Sequence, residues 1–300
     1  MNRKLPGLAR IFYLLLGIFL GAVVMVLSPK AYDSVFQWRF LSGLGLTRFN
    51  PGGEKMHRVP EPADLVKLYP DIVVRQWTPQ IPSIAITFDD GPDNEYTPKI
   101  LDILREHGVR ATFFLIGHSV EKYPKVAKRI IAEGHAIGNH TYHHVNLANM
   151  APWQVVTELE KANTVLAQVV NQQPSAVRPP YGALDSLAIE AIAEKGYKVV
   201  LWTIDSLDWH GLSAKEVLDN VIPELKNGTI LLHHSAGGPE EDLSGMLEAL
   251  PVIIETLKKQ GYSFLTIPEV IEQYEAEREI AAKAALKISS QAKRSLSLGG

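Results

Sequence analysis

The 300-residue chain contains no cysteine. That excludes disulfides and thiolate chemistry, and leaves His, Asp and Glu as the donors available to a metal. The chain also lacks a strong excess of either charge. Its 30 Lys and Arg face 33 Asp and Glu, a formal net charge of −3. No global basic field is present to gather nucleic acid, so no nucleic-acid partner is expected. No protein partner is predicted and no internal repeat is present. Long apolar runs are missing everywhere but the amino terminus. With 46% hydrophobic and 21% charged residues, the rest has the composition of an ordinary globular domain, able to build a core without staples.

The amino terminus is the exception. Arg3, Lys4 and Arg10 precede an uncharged run over residues 11–27, which Pro29 and Lys30 close. The run is near the lower limit for crossing the hydrocarbon core. The basic residues lie mostly before it, which orients the amino terminus inward and the remainder outward. The expectation is a signal-anchor over residues 1–28, giving a single-pass membrane protein with its main domain outside. No small-x-small site follows the run, which disfavours the alternative, a secreted chain released from a cleaved signal peptide.

Residues 29–80 read as a stalk, because Pro51, Gly52, Gly53, Pro60, Pro62 and Pro79 interrupt any period. From Ser83 onward, short β-branched or aromatic runs alternate with helical stretches. Strands are expected at 84–88, 111–116, 136–139, 176–178, 198–204, 229–232 and 263–267. Helices are expected at 97–106, 121–132, 152–170, 184–194, 214–225 and 247–260. Gly108, Gly134, Gly196 and Gly261 stand where left-handed helix caps belong. This alternation implies an α/β domain with a parallel sheet over residues 81–274. Seven units in that length suggest a closed or nearly closed barrel, with a doubly wound open sheet as the alternative. Residues 275–300 extend the last helix to about Ile288 and then read as disordered.

A barrel places active groups at the carboxyl ends of its strands. Five of the seven expected strands end in ionisable residues there. The first runs into Asp89-Asp90-Gly91-Pro92 and the third into His140-Thr141-Tyr142-His143-His144. The fourth runs into Arg178-Pro179-Pro180-Tyr181, the fifth into Asp205-Ser206-Leu207-Asp208-Trp209, and the sixth into His233-His234.

Adjacent carboxylates repel and are costly to desolvate unless a cation is near. A metal would relieve that cost for one and leave the other as a base, although Asp-Gly-Pro is also good turn chemistry. His140 and His144 are four apart, so on a helical turn both imidazoles reach one metal, while His143 has the wrong phase. Two His and one Asp with open positions suit hydrolytic zinc. They also suit non-haem iron, so the triad alone does not decide the reaction. A hydrolase needs a base for water and an acid for the leaving nitrogen. His233 fits the acid if Asp208 holds its imidazole cationic, and Arg178 fits as the partner of Asp89. Each of these also has a plain structural reading as an ion pair or a core histidine; the clustering on one face favours chemistry.

Thr87-Phe88-Asp89-Asp90-Gly91-Pro92, His140-Thr141-x-x-His144, Arg178-x-Pro180-Tyr181, Asp205-x-x-Asp208-Trp209 and Leu231-x-His233 resemble, in order, the five motifs of the polysaccharide deacetylases, carbohydrate esterase family 4. The resemblance spans residues 84–271. It implies a distorted (β/α)7 barrel and a divalent metal: zinc, with cobalt or manganese as alternatives; the membrane anchor and stalk expected before the barrel lie outside the resemblance. By the resemblance Asp89 is the catalytic base, and Asp90, His140 and His144 bind the metal. His233 is the general acid, Arg178 tunes the base and Asp208 tunes His233. Tyr181 lends its backbone N–H to the oxyanion, and Trp209 and Leu231 line the acetyl pocket. The last motif departs from the family in one respect: His234 follows where an Asp or a small polar residue is usual. The implied activity is removal of N-acetyl groups from an extracellular amino-sugar polymer. Peptidoglycan is the expected substrate, chitin or chitooligosaccharide the alternative, and non-catalytic glycan binding the rival class.

Overall fold

The computed structural model describes residues 62–298 apart from 149, 239 and 240. Helix α1 (Pro62–Leu68) leads into strands β1 (Val73–Val74) and β2 (Ser83–Asp89). There follow α2 (Tyr96–Glu106), β3 (Thr112–Leu115), α3 (Gly117–Lys122), α4 (Pro124–Ala132), β4 (Ala136–Asn139) and α5 (Pro152–Val170). The second half runs β5 (Ala176–Val177), α6 (Ser186–Glu194), β6 (Lys198–Val200), β7 (Ile204–Asp205) and α7 (Ala214–Val221). It ends with β8 (Thr229–His234), α8 (Ser244–Lys259), β9 (Ser263–Phe264) and α9 (Ile267–Leu298).

The strands pair in the order β1-β6-β5-β4-β3-β2-β8-β7, with β9 added beside β2. Each ladder is parallel. The sheet curls into a half-barrel with helices outside, so the open doubly wound alternative is not what forms. β6 and β7 replace the single fifth strand expected. Between them Thr203 N donates to the Ile230 carbonyl (2.9 Å), which carries the curl from β6 towards β8.

Alternation along each strand sorts side chains into two layers. Ile86, Phe88, Phe113 and Leu115 point outward and pack on Ile100, Leu101 and Leu104 of α2 and on Ala127 and Ile130 of α4. The intervening residues point into the curl. Val74, Ala85, Phe114, Ala176, Val200 and Ile230 meet there, and Trp77, Ile267, Val270 and Ile271 complete that cluster. Local chemistry sets the helix ends. Pro124 and Pro152 open α4 and α5. Asp185 accepts from Ala188 N to cap α6, and Ser213 and Glu216 form a capping box on α7. Gly108, Gly134, Gly196 and Gly261 all take positive φ, as expected of caps.

Three expectations change. The anchor over residues 1–28 and the stalk up to residue 61 lie outside the described residues. Among the described residues no helix is long and apolar enough to cross a membrane. The placement as a single-pass membrane protein is therefore corrected. Residues 62–80 are not a stalk: Leu65, Val73, Val74 and Trp77 are buried, and β1 pairs with β6 through Val73 and Val199. The two-residue strand is too short to register as a period against the surrounding prolines. Residues 275–298 do not become disordered after Ile288, since α9 continues to Leu298. Its early turns bind the supposed stalk, with Glu277 accepting from Thr78 N (3.1 Å) and Arg278 pairing with Asp71 (2.6 Å).

Gly138 in β4 faces into the curl, where an added Cβ would lie 2.2 Å from Phe114 Cδ1. Gly138→Ala should overpack this layer and cost about 1–3 kcal/mol. At this size each kcal/mol lowers Tm by ~2–4 °C. Thermal unfolding checks it; an unchanged Tm would mean that the Phe114 ring has room to move.

Candidate active site

The inward layer becomes polar where the strands end. Asp89 is the last residue of β2 and is buried. Its Oδ1 accepts from Arg178 Nη1 (2.8 Å), which also donates to Thr87 Oγ1 (2.8 Å). Arg178 follows β5 directly and is fully buried. Its Nε donates to the Val200 carbonyl (3.3 Å) and its guanidinium lies 4.1 Å from the Phe114 ring centroid. Burial lowers the Arg178 pKa and Asp89 opposes that shift.

Asp90 turns out of the strand with a φ of 71°. Its Oδ1 is buried and makes no hydrogen bond, yet it lies 3.3 Å from His140 Nε2 and 3.1 Å from His144 Nε2. One donor atom from each of these three residues lies within 4.8 Å of the others. His140 Nδ1 faces the Arg178 carbonyl at 2.8 Å. That carbonyl can only accept, so Nδ1 carries the proton and Nε2 keeps a lone pair for a metal. An orphaned carboxylate oxygen facing two imidazole nitrogens is the donor set a divalent cation fits. Burial would raise the Asp90 carboxyl, but His140 and His144 hold it below the usual carboxylate range. Burial would lower His140, but Asp89 and Asp90 raise it.

The His140–His144 segment is not the helical turn that the spacing suggested. It is a loop in which Thr141 (φ 64°) and His144 (φ 57°) adopt left-handed backbone. Asp90, Tyr181 (φ 61°) and Leu207 (φ 57°) do the same around the cleft. Non-glycine residues held there cost about 1–3 kcal/mol each and persist where surrounding contacts impose them.

The opposite wall differs from expectation by one residue. In β8, Phe88 registers with His233 and Asp89 with His234. Residues paired across a parallel ladder share a face. His233 therefore points outward with Phe88, fully buried, the rings 5.7 Å apart. Neither of its nitrogens has a hydrogen-bond partner, and Nδ1 is 3.6 Å from Asp208 Oδ2. His234 lines the cleft instead. Its Nδ1 is 2.7 Å from Asp208 Oδ1, and its backbone N donates to Asp208 Oδ2 (2.8 Å). Leu231 likewise points outward, onto Ile84 and Ile204, and Leu232 lines the cleft. Leu232-His233-His234 fits the Leu-x-His pattern as well as Leu231-x-His233 does, and the pairing of Asp89 with His234 chooses between them. Burial would lower the His234 imidazole, but Asp208, with Asp90 and Asp89 beyond it, pushes it up to about 10. Burial would raise Asp208, and the two imidazoles hold it below the usual range.

Asp89, Asp90, His140, His144, Leu232 and His234 line one cleft of about 780 Å³, within the span of small-molecule sites, with Arg178 and Asp208 buried behind it. Tyr181 and Trp209 stand at it partly exposed, Tyr181 edge-on to His144 at 4.7 Å. Trp202 and Asp205 also line it; neither had been given a role. Asp205 is raised by burial.

Residues 77–200 match the family described as polysaccharide deacetylase. A peptidoglycan-N-acetylglucosamine deacetylase of Bacillus cereus is 42% identical over 189 residues, 63% of this chain and 68% of that one. The peptidoglycan-N-acetylmuramic acid deacetylase PdaA of Bacillus subtilis is 35% identical, covering 64% and 73%. A crystal structure of a peptidoglycan N-acetylglucosamine deacetylase with 4-naphthalen-1-yl-N-oxidanyl-benzamide superposes with a TM-score of 0.66 at 40% identity, over 70% of this chain and 96% of that one. A pseudoenzyme of carbohydrate esterase family 4 from Bacillus anthracis superposes with a TM-score of 0.62 at 29% identity, covering 67% and 69%. Curled parallel sheet, donor set and sequence likeness agree: the chain belongs to the polysaccharide deacetylases of carbohydrate esterase family 4 and is a deacetylase.

Proposed function

We propose that this chain is a metal-dependent hydrolase that removes N-acetyl groups from peptidoglycan. The observation that carries the reading is three functional pairs or sets at one cleft: Asp90 with His140 and His144, Asp89 backed by the buried Arg178, and His234 backed by the buried Asp208. Peptidoglycan is favoured over chitin because the relatives named above act on peptidoglycan. The pseudoenzyme among the similar structures is the model for a non-catalytic reading, but here each expected role has a residue at the cleft or buried directly behind it.

Asp90, His140 and His144 would hold the ion, with zinc favoured by two imidazoles and a carboxylate, and cobalt or manganese as alternatives. Such an ion supplies positive charge that polarises a carbonyl and acidifies water. Asp89 spends Oδ1 on Arg178, which leaves Oδ2, 3.8 Å from His140 Nε2, to take the proton of the attacking water. His234 binds Asp208 through Nδ1, so Nε2 is the atom that protonates the leaving nitrogen. Water adds to the acetyl carbon, the carbon–nitrogen bond breaks, and acetate and a free sugar amine result. The Tyr181 N–H faces the oxyanion in this reading, and Leu232 and Trp209 flank the acetyl methyl.

His144→Ala should lose metal and activity together while the fold is kept. Asp89→Asn should lose turnover and keep its metal. Metal analysis beside acetate release on defined peptidoglycan fragments decides this; metal loss in Asp89→Asn would mean that the two aspartates have exchanged roles.

His234→Gln should lower kcat by about 10²–10⁴, the range of a general acid. His233→Leu, outside the cleft, should keep most of the parent rate. The reverse order would restore His233 as the acid.

The acid form of His234 exists below its pKa, so activity should fall as pH rises through it. Asp208→Asn removes the anion that does most to raise it. The basic limb of the pH–rate profile should move to lower pH and the acidic limb stay in place. A basic limb that does not move would exclude the pairing.

A further inference from the structure

The loop between His140 and His144 is fastened to α5 by a residue that the mechanism above does not use. Glu158 lies in the second turn of α5, with 13% of its side chain exposed. Its Oε2 accepts from the backbone N of His143 (3.0 Å), and its Oε1 is 2.8 Å from His143 Nδ1. One carboxylate therefore holds both the peptide and the ring of the residue just before His144.

Other contacts show what that hold has to achieve. Thr141 and His144 are both left-handed, so the loop needs partners that impose its shape. At its start, Asn139 Oδ1 accepts from Thr141 N (2.8 Å), and Asn139 Nδ2 donates to the Leu159 carbonyl and to Asn163 Oδ1 of α5. Further on, Tyr142 packs edge-on to His143 (4.4 Å) beneath Lys161, one turn beyond Glu158. The same helix thus fixes the loop at Asn139, at Tyr142 and, through Glu158, at the peptide adjoining the second ligand.

We propose that Glu158 is a positioning residue for the metal ligands, setting the direction of His144 through the His143 peptide. A plain surface ion pair with His143 would contribute little, because the imidazole is half exposed. The bond to the His143 backbone N–H distinguishes the two, since it survives whatever the His143 ring does. The inference rests on the metal reading given above.

The test uses the full chain, stripped of metal, with zinc affinity measured by competition with a chromophoric chelator and the visible spectrum recorded with cobalt. Glu158→Ala should weaken zinc about 10–100-fold, the usual effect of losing a residue that orients a ligand. It should alter the cobalt spectrum without lowering the Tm of the metal-free protein. Glu158→Gln keeps an acceptor for the His143 N–H and should recover part of the loss. His143→Ala should stay near the parent. Parent-like affinity in Glu158→Ala overturns the inference, as does a loss that appears only with a lower metal-free Tm. If His144→Ala binds zinc as tightly as the parent, the metal reading fails instead.

Discussion

A guanidinium surrounded by carbon side chains is tolerable only beside an anion, and the Arg178–Asp89 pair is the contact on which this site depends. Arg178 is fully buried, with Phe114 against its face and Asp89 and Thr87 at one nitrogen. Removing one partner of such a pair leaves a buried charge uncompensated, at about 3–5 kcal/mol. The same residue reaches the metal side through its backbone, because its carbonyl fixes the tautomer of His140. Asp89 and His140 are thus oriented from one position. The small side of the layer matters equally. Gly138 leaves the space that the Phe114 ring fills, and the ring in turn supports the guanidinium.

The same strict alternation explains why His234 and Leu232, rather than the expected His233 and Leu231, face the cleft. Every strand of the curl presents alternate residues to its interior, so a one-residue slip exchanges the cleft for the helix layer. The run 230–234 is Ile-Leu-Leu-His-His, in which apolar and imidazole side chains occupy both phases. Such a run carries no phase of its own. Its phase is set by its neighbour, since Asp89 must face inward to meet Arg178 and the ladder then aligns His234 with it. Pairing information of this kind is absent from the strand alone.

Much of the rest was legible because it is local. Gly108, Gly134, Gly196 and Gly261 marked helix ends, and β4 lies at 136–139 as its short pattern indicated. Asp89, Asp90, His140, His144, Arg178 and Asp208 do converge, because each follows or ends a strand on one face of a parallel sheet. What escaped was non-local. β1 is two residues long and exists because β6 offers it an edge. Residues 62–80 look like a linker in isolation and join the core because β6, the cluster around Leu159 and Ile189, and the returning α9 all receive them. The convergence of His140 and His144 was anticipated for the wrong local reason, since a left-handed loop performs what a helical turn was expected to do.

That loop belongs to a wider pattern. Of the six non-glycine residues with positive φ among those described, five carry or adjoin cleft groups: Asp90, Thr141, His144, Tyr181 and Leu207. The strands bring the chain to the rim in extended form, and an extended continuation would carry the next side chain away along the strand axis. A left-handed residue turns the chain sharply within one position, so Asp90 can reach the metal donors although Asp89 already occupies the inward position. Strain of this kind is stable only against a rigid support. Here the curled sheet supplies it from below, and the helix carrying Glu158, Leu159 and Asn163 supplies it from the side. Sheet and helix together hold one donor atom each of Asp90, His140 and His144 within 4.8 Å of the others.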